Sequence, residues 1–194
     1  MKDTARVVVV GGGVVGVSAL YHLAKLGWTD CMLLERTELT AGSTWHAAGL
    51  LPLFNMSYSV GQLHQYSVEL YKTLEAETGQ AVGFHENGNL RLATTRERMD
   101  EYRLYSCTAE TIGVACELIG VDEIKKLWPL IDADGLVGAL WHSTDGHIAP
   151  VDVTMAMAKG ARTMGATIHQ QTQVTAIERS DESEWIVKTD NGDI

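Results

Sequence analysis

Residues 7–16, VVVVGGGVVG, decide the fold of this chain. Residues 6–10, which include the four valines, form a short β-branched run that is typical of a buried parallel strand. Gly11, Gly13 and Gly16 then occupy the glycine positions of G-x-G-x-x-G, and residues 14–26 continue with helical spacing of apolar side chains. This strand, turn and helix predict a phosphate-binding turn. The first glycine permits the tight turn, the second lets a pyrophosphate approach, and the third lets helix and strand pack closely.

A carboxylate follows the next predicted strand. The strand covers Cys31–Leu34, and Glu35 comes directly after it, 19 residues beyond Gly16. In this type of βαβ unit, an acid at that place accepts hydrogen bonds from a ribose. It would repel a 2′-phosphate, which disfavours NADP, while we expect Arg36 to lie over the adenine or in solvent. Because NAD and FAD share the same ADP half, both remain candidates on these grounds.

Composition narrows the class of protein. The chain has 194 residues, 45% of them apolar and 21% charged, which is the balance of a globular protein. A net charge of −10 without a basic stripe argues against a nucleic-acid partner. Three cysteines without C-x-x-C spacing predict reduced thiols and a cytoplasmic location. The apolar run at residues 7–24 is interpreted as part of the fold and not as a membrane span or signal peptide, because three consecutive glycines suit a membrane helix poorly.

The remaining chain alternates between helical and extended patterns. Residue periodicity and turn residues predict helices over 57–77, 95–112, 121–127 and 151–164, a hairpin over 83–94 turning at Asn87-Gly88, a loop over 141–148, strands over 167–177 and 185–189, and a last hairpin-like turn at Asn191-Gly192.

Residues 41–54, AGSTWHAAGLLPLF, surround one Trp-His pair with small residues. Small side chains let a backbone come close to a ligand, and Ser43 and Thr44 are suited to cap a helix or donate to a cofactor oxygen. A lone histidine is more often structural than functional, so His46 has both interpretations on this pattern alone. For Trp45, packing against a flavin and filling of the core are equally good interpretations.

Several motifs resemble the dimethylglycine dehydrogenase and sarcosine dehydrogenase family, which belongs to the D-amino-acid-oxidase-like FAD enzymes. The motifs are LLERTELTA at 33–41, GSTWHAAGL at 42–50, GFHENGNLRLATT at 83–95 and DGHIAP at 145–150. The resemblance implies an α/β fold: a Rossmann-like FAD-binding βαβ unit with part of an inserted α+β substrate (cap) region. Residues 1–55 and 150–194 are accordingly assigned to the FAD-binding parts. Residues 56–149 are assigned to a helical and hairpin insertion in the FAD and substrate region.

The same resemblance implies the contacts to the cofactor. His46 matches the histidine that is tethered covalently to the flavin through its 8α carbon in that family. Val174 matches a residue whose backbone meets the adenine. The remaining implied contacts, from the phosphate turn through the ribose to the flavin side, are Gly11, Gly13, Val14, Val15, Gly16, Glu35, Arg36, Gly42, Ser43, Thr44, Trp45, Ala47, Ala48, Gly49 and Leu50.

The implied activity is FAD-dependent oxidation of an N-methyl group of dimethylglycine or sarcosine. Hydride passes to flavin N5, the methyl carbon leaves as formaldehyde or is captured by tetrahydrofolate, and the electron acceptor is oxygen or an electron-transfer flavoprotein. The family's catalytic groups lie beyond Ile194, so no catalytic acid or base is assigned. The chain is interpreted as an amino-terminal fragment that is inactive alone.

Other interpretations remain beside this one. The chain also fits a related FAD oxidase of another secondary amine or a D-amino acid, or a non-catalytic nucleotide-binding module. The mitochondrial matrix is the alternative to the cytoplasm. No metal site is predicted, because His142 and His147 flank a turn with loose spacing, and no membrane partner is expected.

Overall fold

The computed structural model describes residues 4–180 and 184–194, and the chain divides into two compact units. Unit 1 comprises the described residues of Met1–Gly49, Thr73–Gly83 and Ala149–Ile194, and unit 2 comprises Leu50–Lys72 and Phe84–Ile148. Residues 1–3 and 181–183 of the predicted FAD-binding parts lie outside the described residues.

The elements alternate between strands and helices along the chain. In chain order they are β1 (Val7–Val10), α1 (Val14–Lys25), β2 (Cys31–Leu34), a 3-10 turn (Ser43–His46), β3 (Leu50–Leu51), α2 (Tyr58–Thr78), β4 (His85–Glu86), β5 (Asn89–Ala93), α3 (Arg96–Ile112), β6 (Glu117–Ile119), α4 (Val121–Leu127), β7 (Gly138–His142), β8 (Gly146–His147), α5 (Pro150–Thr163), β9 (Thr167–His169), β10 (Val174–Arg179), β11 (Trp185–Thr189) and β12 (Gly192–Asp193).

Unit 1 is built on a parallel sheet in the order β1-β2-β9. Val7 lies opposite Cys31, and Met32 lies opposite Thr167. All four residues of β2 are buried, and α1 packs against both β2 and α5. A second, antiparallel sheet, β10-β11-β12, shares a core with this one through Met32, Leu34 and Val187. These contacts confirm the βαβ unit that the valine run and glycine turn predict.

The end of α2 belongs to unit 1, although the sequence assigned all of residues 56–149 to the insertion. The Glu77 carboxylate accepts a hydrogen bond from Tyr21 Oη at 2.6 Å and pairs with Lys25 Nζ at 2.9 Å. Lys159 Nζ also donates to the Gly79 carbonyl at 3.0 Å. Unit 2 begins at Leu50, six residues before the predicted start of the insertion.

The predicted single strand over residues 167–177 is wrong, because the chain turns between β9 and β10. Gln171 has a positive φ of 53°, which interrupts extended backbone. The turn is fastened to the segment after β2. The Gln171 amide donates to the Thr37 carbonyl at 3.0 Å, and the Thr172 amide donates to the Glu35 carbonyl at 2.9 Å.

Unit 2 contains two three-stranded sheets, β5-β7-β6 and β3-β8-β4, together with α3, α4 and the beginning of α2. The predicted hairpin over residues 83–94 is wrong, because β4 pairs with β8 and β5 pairs with β7. Part of the predicted loop over residues 141–148 is instead strand, since β7 reaches His142 and β8 covers Gly146–His147. The Asn87-Gly88 turn therefore joins two strands that pair elsewhere, and the Gly88 amide donates to the Asp145 carbonyl at 2.8 Å.

The core of unit 2 forms where α3 packs against β5 and β7. Among the described residues, no helix is both long and apolar enough to cross a membrane. The buried core cluster consists of Leu53, Val68, Ala93, Met99, Tyr102, Tyr105, Ala109, Ile112, Val114 and Leu140.

Candidate functional site

The glycine turn opens into a cleft of about 800 Å³ in unit 1. The cleft lies at the carboxyl ends of β1 and β2, which is where open α/β sheets bind ligands. Its walls come from the turn itself, from the residues after β2 and from the segment that enters the 3-10 turn. The predicted site residues in its lining are Gly11, Gly13, Val14, Val15, Glu35, Arg36, Gly42, Ser43, Thr44 and Ala47.

Two positions of the turn require glycine, Gly11 for its backbone conformation and Gly16 for a close backbone contact. Gly11 has a φ of 106°, which L side chains rarely adopt. A Cβ on Gly16 would collide with the backbone carbonyl oxygen of Gly11. Only glycine at position 16 therefore lets α1 begin this close to the end of β1.

Glu35 is held at the cleft by three hydrogen bonds. Its Oε2 accepts from the Gly12 amide at 2.7 Å, and its Oε1 accepts from the Thr37 amide at 2.8 Å and the Thr37 hydroxyl at 3.1 Å. Burial by itself would raise the pKa of Glu35, but the hydrogen bonds from Thr37 and Gly12 outweigh it and lower the pKa below its ordinary value. A carboxylate has about four acceptor positions, so the ionised Glu35, with three hydrogen bonds, retains about one position for a ribose hydroxyl.

Thr44 links the small-residue segment to the start of α1. Its buried Oγ1 accepts a hydrogen bond from the Val14 amide at 2.9 Å. The next amide of the helix, that of Val15, has no protein acceptor among the described residues. A free amide at a helix N-terminus, together with the positive end of the helix dipole, favours a phosphate. Thr44 thus fixes the turn while leaving a donor for an anion.

Replacing Thr44 with valine is expected to lower the free energy of unfolding by about 0.5–1.5 kcal/mol, because the partly buried Val14 amide then loses its acceptor in the protein. The shape of the side chain is nearly retained, so lost packing contributes little. Thr44→Ser keeps the hydroxyl and serves as the matched control. Urea denaturation of both variants measures the difference, and equal stability of the two would contradict the assigned hydrogen bond.

A second, smaller cleft of about 270 Å³ in unit 1 shares Gly11, Glu35 and Arg36 with the first. Val174, the first residue of β10, lines it together with Thr172 and Gln173. The structure thus brings Val174, predicted from the family resemblance, next to the acid at the end of β2. Chain separation of more than 130 residues made this proximity invisible to local patterns.

The outer part of the predicted flavin segment does not line either cleft. Trp45 is 57% exposed in this chain, and its packing against a flavin or in the core of the complete protein stays a prediction. His46, Ala48 and Gly49 are also outside the lining, and the His46 ring stacks on the Trp45 ring with 3.8 Å between their centroids. Leu50 begins β3 and belongs to unit 2.

The other two histidines weighed in the sequence have separate surroundings in unit 2. His142 is completely buried, and its Nε2 lies 3.1 Å from the Tyr105 hydroxyl. His147 stacks instead on His85, with 5.0 Å between the ring centroids. Among the described residues, no group of three or more His, Cys, Asp or Glu side chains is arranged to hold a metal ion.

Asp145 is the buried acid of unit 2. Its Oδ1 accepts a hydrogen bond from the Leu53 amide at 2.9 Å, and the side chain is only 1% exposed. Burial raises the pKa of Asp145 to about 6, and burial lowers the pKa of His142 to about 4. Both groups are therefore neutral over part of the mildly acidic range.

Sequence reasoning missed some of the lining. Thr37 could have been predicted from the sequence, because a hydroxyl two residues after the ribose-binding acid can reach that acid. Gln171 had no local signal, since it enters the cleft through a turn that the sequence predicted as strand. The lining residues that were not predicted are Gly12, Thr37, Glu38, Ala41 and Gln171.

Comparison with known proteins assigns the family. Residues 6–194 match the model of the DAO family, described as FAD dependent oxidoreductase. The chain is 44% identical over 193 residues to dimethylglycine dehydrogenase of Rattus norvegicus and 39% identical over 178 residues to sarcosine dehydrogenase of Homo sapiens, both mitochondrial. These alignments cover 100% and 91% of the chain but only 22% and 19% of the relatives' lengths.

A solved structure has the same fold. L-proline dehydrogenase from P. horikoshii superimposes with a TM-score of 0.93 at 29% sequence identity, over 100% of this chain and 51% of its own. The match agrees with the α/β fold class predicted from the sequence. Since the family model covers nearly the whole chain and the glycine turn, Glu35 and the cleft suit a dinucleotide, the chain belongs to the family of FAD-dependent oxidoreductases.

Proposed function

We propose that the protein is an FAD-dependent amine dehydrogenase that oxidises an N-methyl group of dimethylglycine or sarcosine. In this proposal the chain supplies the dinucleotide-binding part of the flavin site. The observation that carries the proposal is a cleft with a glycine turn and a hydrogen-bonded acid, in a chain closely similar to dimethylglycine dehydrogenase. The relatives are several times longer than the chain, so the remaining parts of the activity are assigned to the complete protein.

The residues of unit 1 divide the binding of FAD between them. The amides at the start of α1 receive the pyrophosphate, Glu35 accepts hydrogen bonds from the ribose, and the backbone of Val174 meets the adenine. Bound FAD supplies the redox chemistry by accepting a hydride at N5. The protein's part is to hold and orient the cofactor.

His46 is the proposed attachment point of the flavin. Its imidazole is exposed, and no hydrogen bond to the ring occurs within the described part of the chain. Small residues on both sides, Gly42, Ala47 and Gly49 among them, leave room for close approach of a ring edge. A neutral imidazole nitrogen is nucleophilic enough to bond to the 8α carbon of the flavin.

The complete protein is proposed to pass electrons to oxygen or to an electron-transfer flavoprotein and to release formaldehyde or load it onto tetrahydrofolate. Two cellular locations are proposed for the protein, each from a different observation. The cysteine usage favours the cytoplasm, whereas the mitochondrial location of similar enzymes favours the mitochondrial matrix. The domain roles predicted for residues 1–55, 56–149 and 150–194 belong to the same proposal.

Acid denaturation of the complete protein tests the covalent attachment. The wild-type precipitate is expected to stay yellow, whereas His46→Ala is expected to release all of its flavin while still binding FAD before denaturation. The flavin absorbance of pellet and supernatant measures the outcome. His22→Ala is the matched control, because His22 lies on α1 away from the cleft lining. Complete release from the wild-type protein would disprove the tether.

A related FAD oxidase of another secondary amine or of a D-amino acid is the second candidate, and the likeness to L-proline dehydrogenase favours the secondary amine. Turnover of a panel containing dimethylglycine, sarcosine, L-proline and D-alanine separates the two. Activity restricted to L-proline or D-alanine would replace the first proposal by the second. A purified complete protein that binds ADP but shows no flavin spectrum would instead support the non-catalytic nucleotide-binding module.

A further inference from the structure

We propose that unit 2 contains a binding site for a small carboxylate, in a cavity that is lined by both Arg91 and Asp145. The cavity has a volume of about 290 Å³ and lies between β3, the first residues of β5 and the start of β8. It shares no lining residue with the two clefts of unit 1. The inference concerns binding alone, so it does not depend on the oxidation proposed above.

Arg91 occupies a strand position that faces the core of unit 2. It lies opposite Leu140 of β7, and residues paired in this way share one face of a sheet. Leu140 is completely buried, and Ala93, two residues after Arg91 on the same face, belongs to the same core cluster. Arginine is rarely placed there without an acidic partner. Within residues 4–180 and 184–194, however, no ion pair includes Arg91, and its buried Nε has no hydrogen-bond partner.

Phe54 contacts the face of the Arg91 guanidinium and leaves its edge free. The Cζ atom of Arg91 lies 4.2 Å from the centroid of the Phe54 ring, which is a cation–π arrangement. Phe54 in turn stacks on the buried Tyr105, with 4.2 Å between the ring centroids. The N–H donors of a guanidinium lie in its plane, so a contact with its face does not use them. A planar cation with free donors is the group that binds a carboxylate through two hydrogen bonds.

Asp145 supplies the second polar group of the cavity. Its side chain is 1% exposed, and while Oδ1 accepts the hydrogen bond from the Leu53 amide, Oδ2 has no partner among the described residues. Burial raises the pKa of Asp145 to about 6. The hydrogen bond from Leu53 and the positive charges of Arg91 and His64 oppose this rise without cancelling it. Below that pH the carboxyl is mostly neutral, and Oδ2 can then carry a proton and donate it.

The two groups together match the acceptors of a carboxylate. Arg91 supplies positive charge and N–H donors, and the protonated Asp145 supplies an O–H donor. The proton shared between Asp145 and the ligand keeps their two carboxyl groups from repelling each other. Leu50, Leu51 and Leu90 provide apolar walls for a short hydrocarbon part. A single water molecule, which takes up about 30 Å³, would leave most of this cavity unfilled.

Binding of the carboxylate is therefore coupled to uptake of a proton by Asp145. The bound anion favours the neutral form, so the pKa of Asp145 is higher in the complex than in the free protein. The charged and titratable groups around Asp145 are Arg91 of β5, His64 of α2, Tyr105 of α3 and, in contact with Tyr105, His142 of β7. Burial raises the pKa of Tyr105 to about 12 and lowers that of His142 to about 4. Both are therefore neutral between pH 6 and 8, which leaves Asp145 and His64 as the groups to separate.

Calorimetric titration of the complete protein with isovalerate tests the proton coupling. Isovalerate has the skeleton of dimethylglycine with a CH group in place of the nitrogen, so it carries the carboxylate without the amine. The wild-type protein is expected to bind it at pH 6 and to bind at least about tenfold more weakly at pH 8, where Asp145 is ionised. Asp145→Asn keeps an acceptor for the Leu53 amide and carries a permanent N–H donor. This variant is expected to bind isovalerate with the same affinity at both pH values.

A second pair of variants tests the cation. Arg91→Met is expected to weaken binding of isovalerate at pH 6 at least about tenfold, because the charged donors are lost. Arg98→Met is the matched control, since Arg98 is exposed on α3 and lies outside the cavity lining. Competition identifies the carrier of the carboxylate. Displacement by dimethylglycine but not by its amide supports the site with an amino acid as the carrier, and binding of isovalerate without displacement supports it with a separate acid.

Three results would each overturn the inference. The first is a wild-type protein that does not bind isovalerate at pH 6. The second is equal affinity of Arg91→Met and Arg98→Met, because the carboxylate would then lie elsewhere. The third is an unchanged pH dependence in Asp145→Asn, which would assign the proton to His64. None of these results bears on the oxidation of N-methyl groups, which the turnover panel tests separately.

Discussion

Gly16→Ala is expected to abolish loading of FAD, whereas Gly120→Ala is expected to load normally. A Cβ at position 16 collides with the backbone carbonyl of Gly11, so α1 and the end of β1 must move apart. Overpacking of this kind costs about 1–3 kcal/mol even where flexible side chains can adjust. A backbone carbonyl cannot adjust alone, and the displaced turn also carries the amides that receive the pyrophosphate.

The control adds a Cβ at a glycine where it meets nothing, and so isolates the effect of the collision. Gly120 precedes α4 in unit 2, has extended backbone with a φ of −85° and a ψ of 172°, and has no atom within 4 Å of an added Cβ. We expect FAD affinity to fall more than about 100-fold in Gly16→Ala, which corresponds to about 2.7 kcal/mol. Isothermal titration of the two complete apoproteins with FAD provides the comparison. Equal affinities would show that the close contact between helix and strand is not needed for the site.

Local patterns were sufficient for the part of the fold that carries the phosphate turn. The bounds of β2 and α4 agree with the prediction, and β1 and α1 differ from it by one residue. These elements are specified by neighbours in sequence: a valine run, three glycines and a helical period of apolar residues. The resemblance to dimethylglycine and sarcosine dehydrogenases is likewise confirmed by the comparison with known proteins.

The incorrect predictions of secondary structure have long-range causes. Residues 83–94 contain a good hairpin turn, yet β4 and β5 each pair with a strand more than 40 residues away. Competing partners of that kind leave no trace in local periodicity. The break between β9 and β10 is equally hidden, because the amides of Gln171 and Thr172 are satisfied by carbonyls after β2. Side chains brought to the cleft by these pairings, Gln171 above all, were therefore not predictable.

The structure gives the positions of the site residues but not the role of each one toward FAD. The structure brings Val174 beside Glu35, but which atom of FAD each one meets stays a prediction. His46 is an exposed imidazole in the structure, and its chemistry follows from the resemblance alone. Geometry adds what the resemblance lacked, namely the Thr44 hydrogen bond to the glycine turn and the Trp45 stack.

Variants of Asp145 and His142 are expected to respond to pH in opposite directions. Burial raises the pKa of Asp145 to about 6 from the usual 3.8, so folding favours its protonated form and stability falls as pH rises from about 4 to 6. Burial lowers the pKa of His142 to about 4 from the usual 6.5, so folding favours its neutral form and stability rises over about the same pH range. Each contribution amounts to about 3 kcal/mol.

The opposite pH dependences of stability that Asp145 and His142 contribute nearly cancel in the wild-type protein, and each variant removes one of the two contributions. Asp145→Asn keeps an acceptor for the Leu53 amide, and its stability is expected to rise by about 3 kcal/mol between pH 4 and 6.5. His142→Gln keeps an amide near the Tyr105 hydroxyl, and its stability is expected to fall by about 3 kcal/mol between pH 4 and 6. The variants thus serve as controls for each other.

Hydrogen exchange of the Leu53 amide provides the measurement, since this amide donates to Asp145 within unit 2. Exchange rates corrected for their intrinsic pH dependence report the free energy of local opening without requiring the whole chain to unfold in one step. The wild-type value is expected to change little between pH 4 and 6.5, while the variants diverge from each other by several kcal/mol across that range. Parallel pH profiles for the two variants would mean that the buried carboxyl and imidazole do not titrate independently, and that their surroundings in unit 2 compensate for burial.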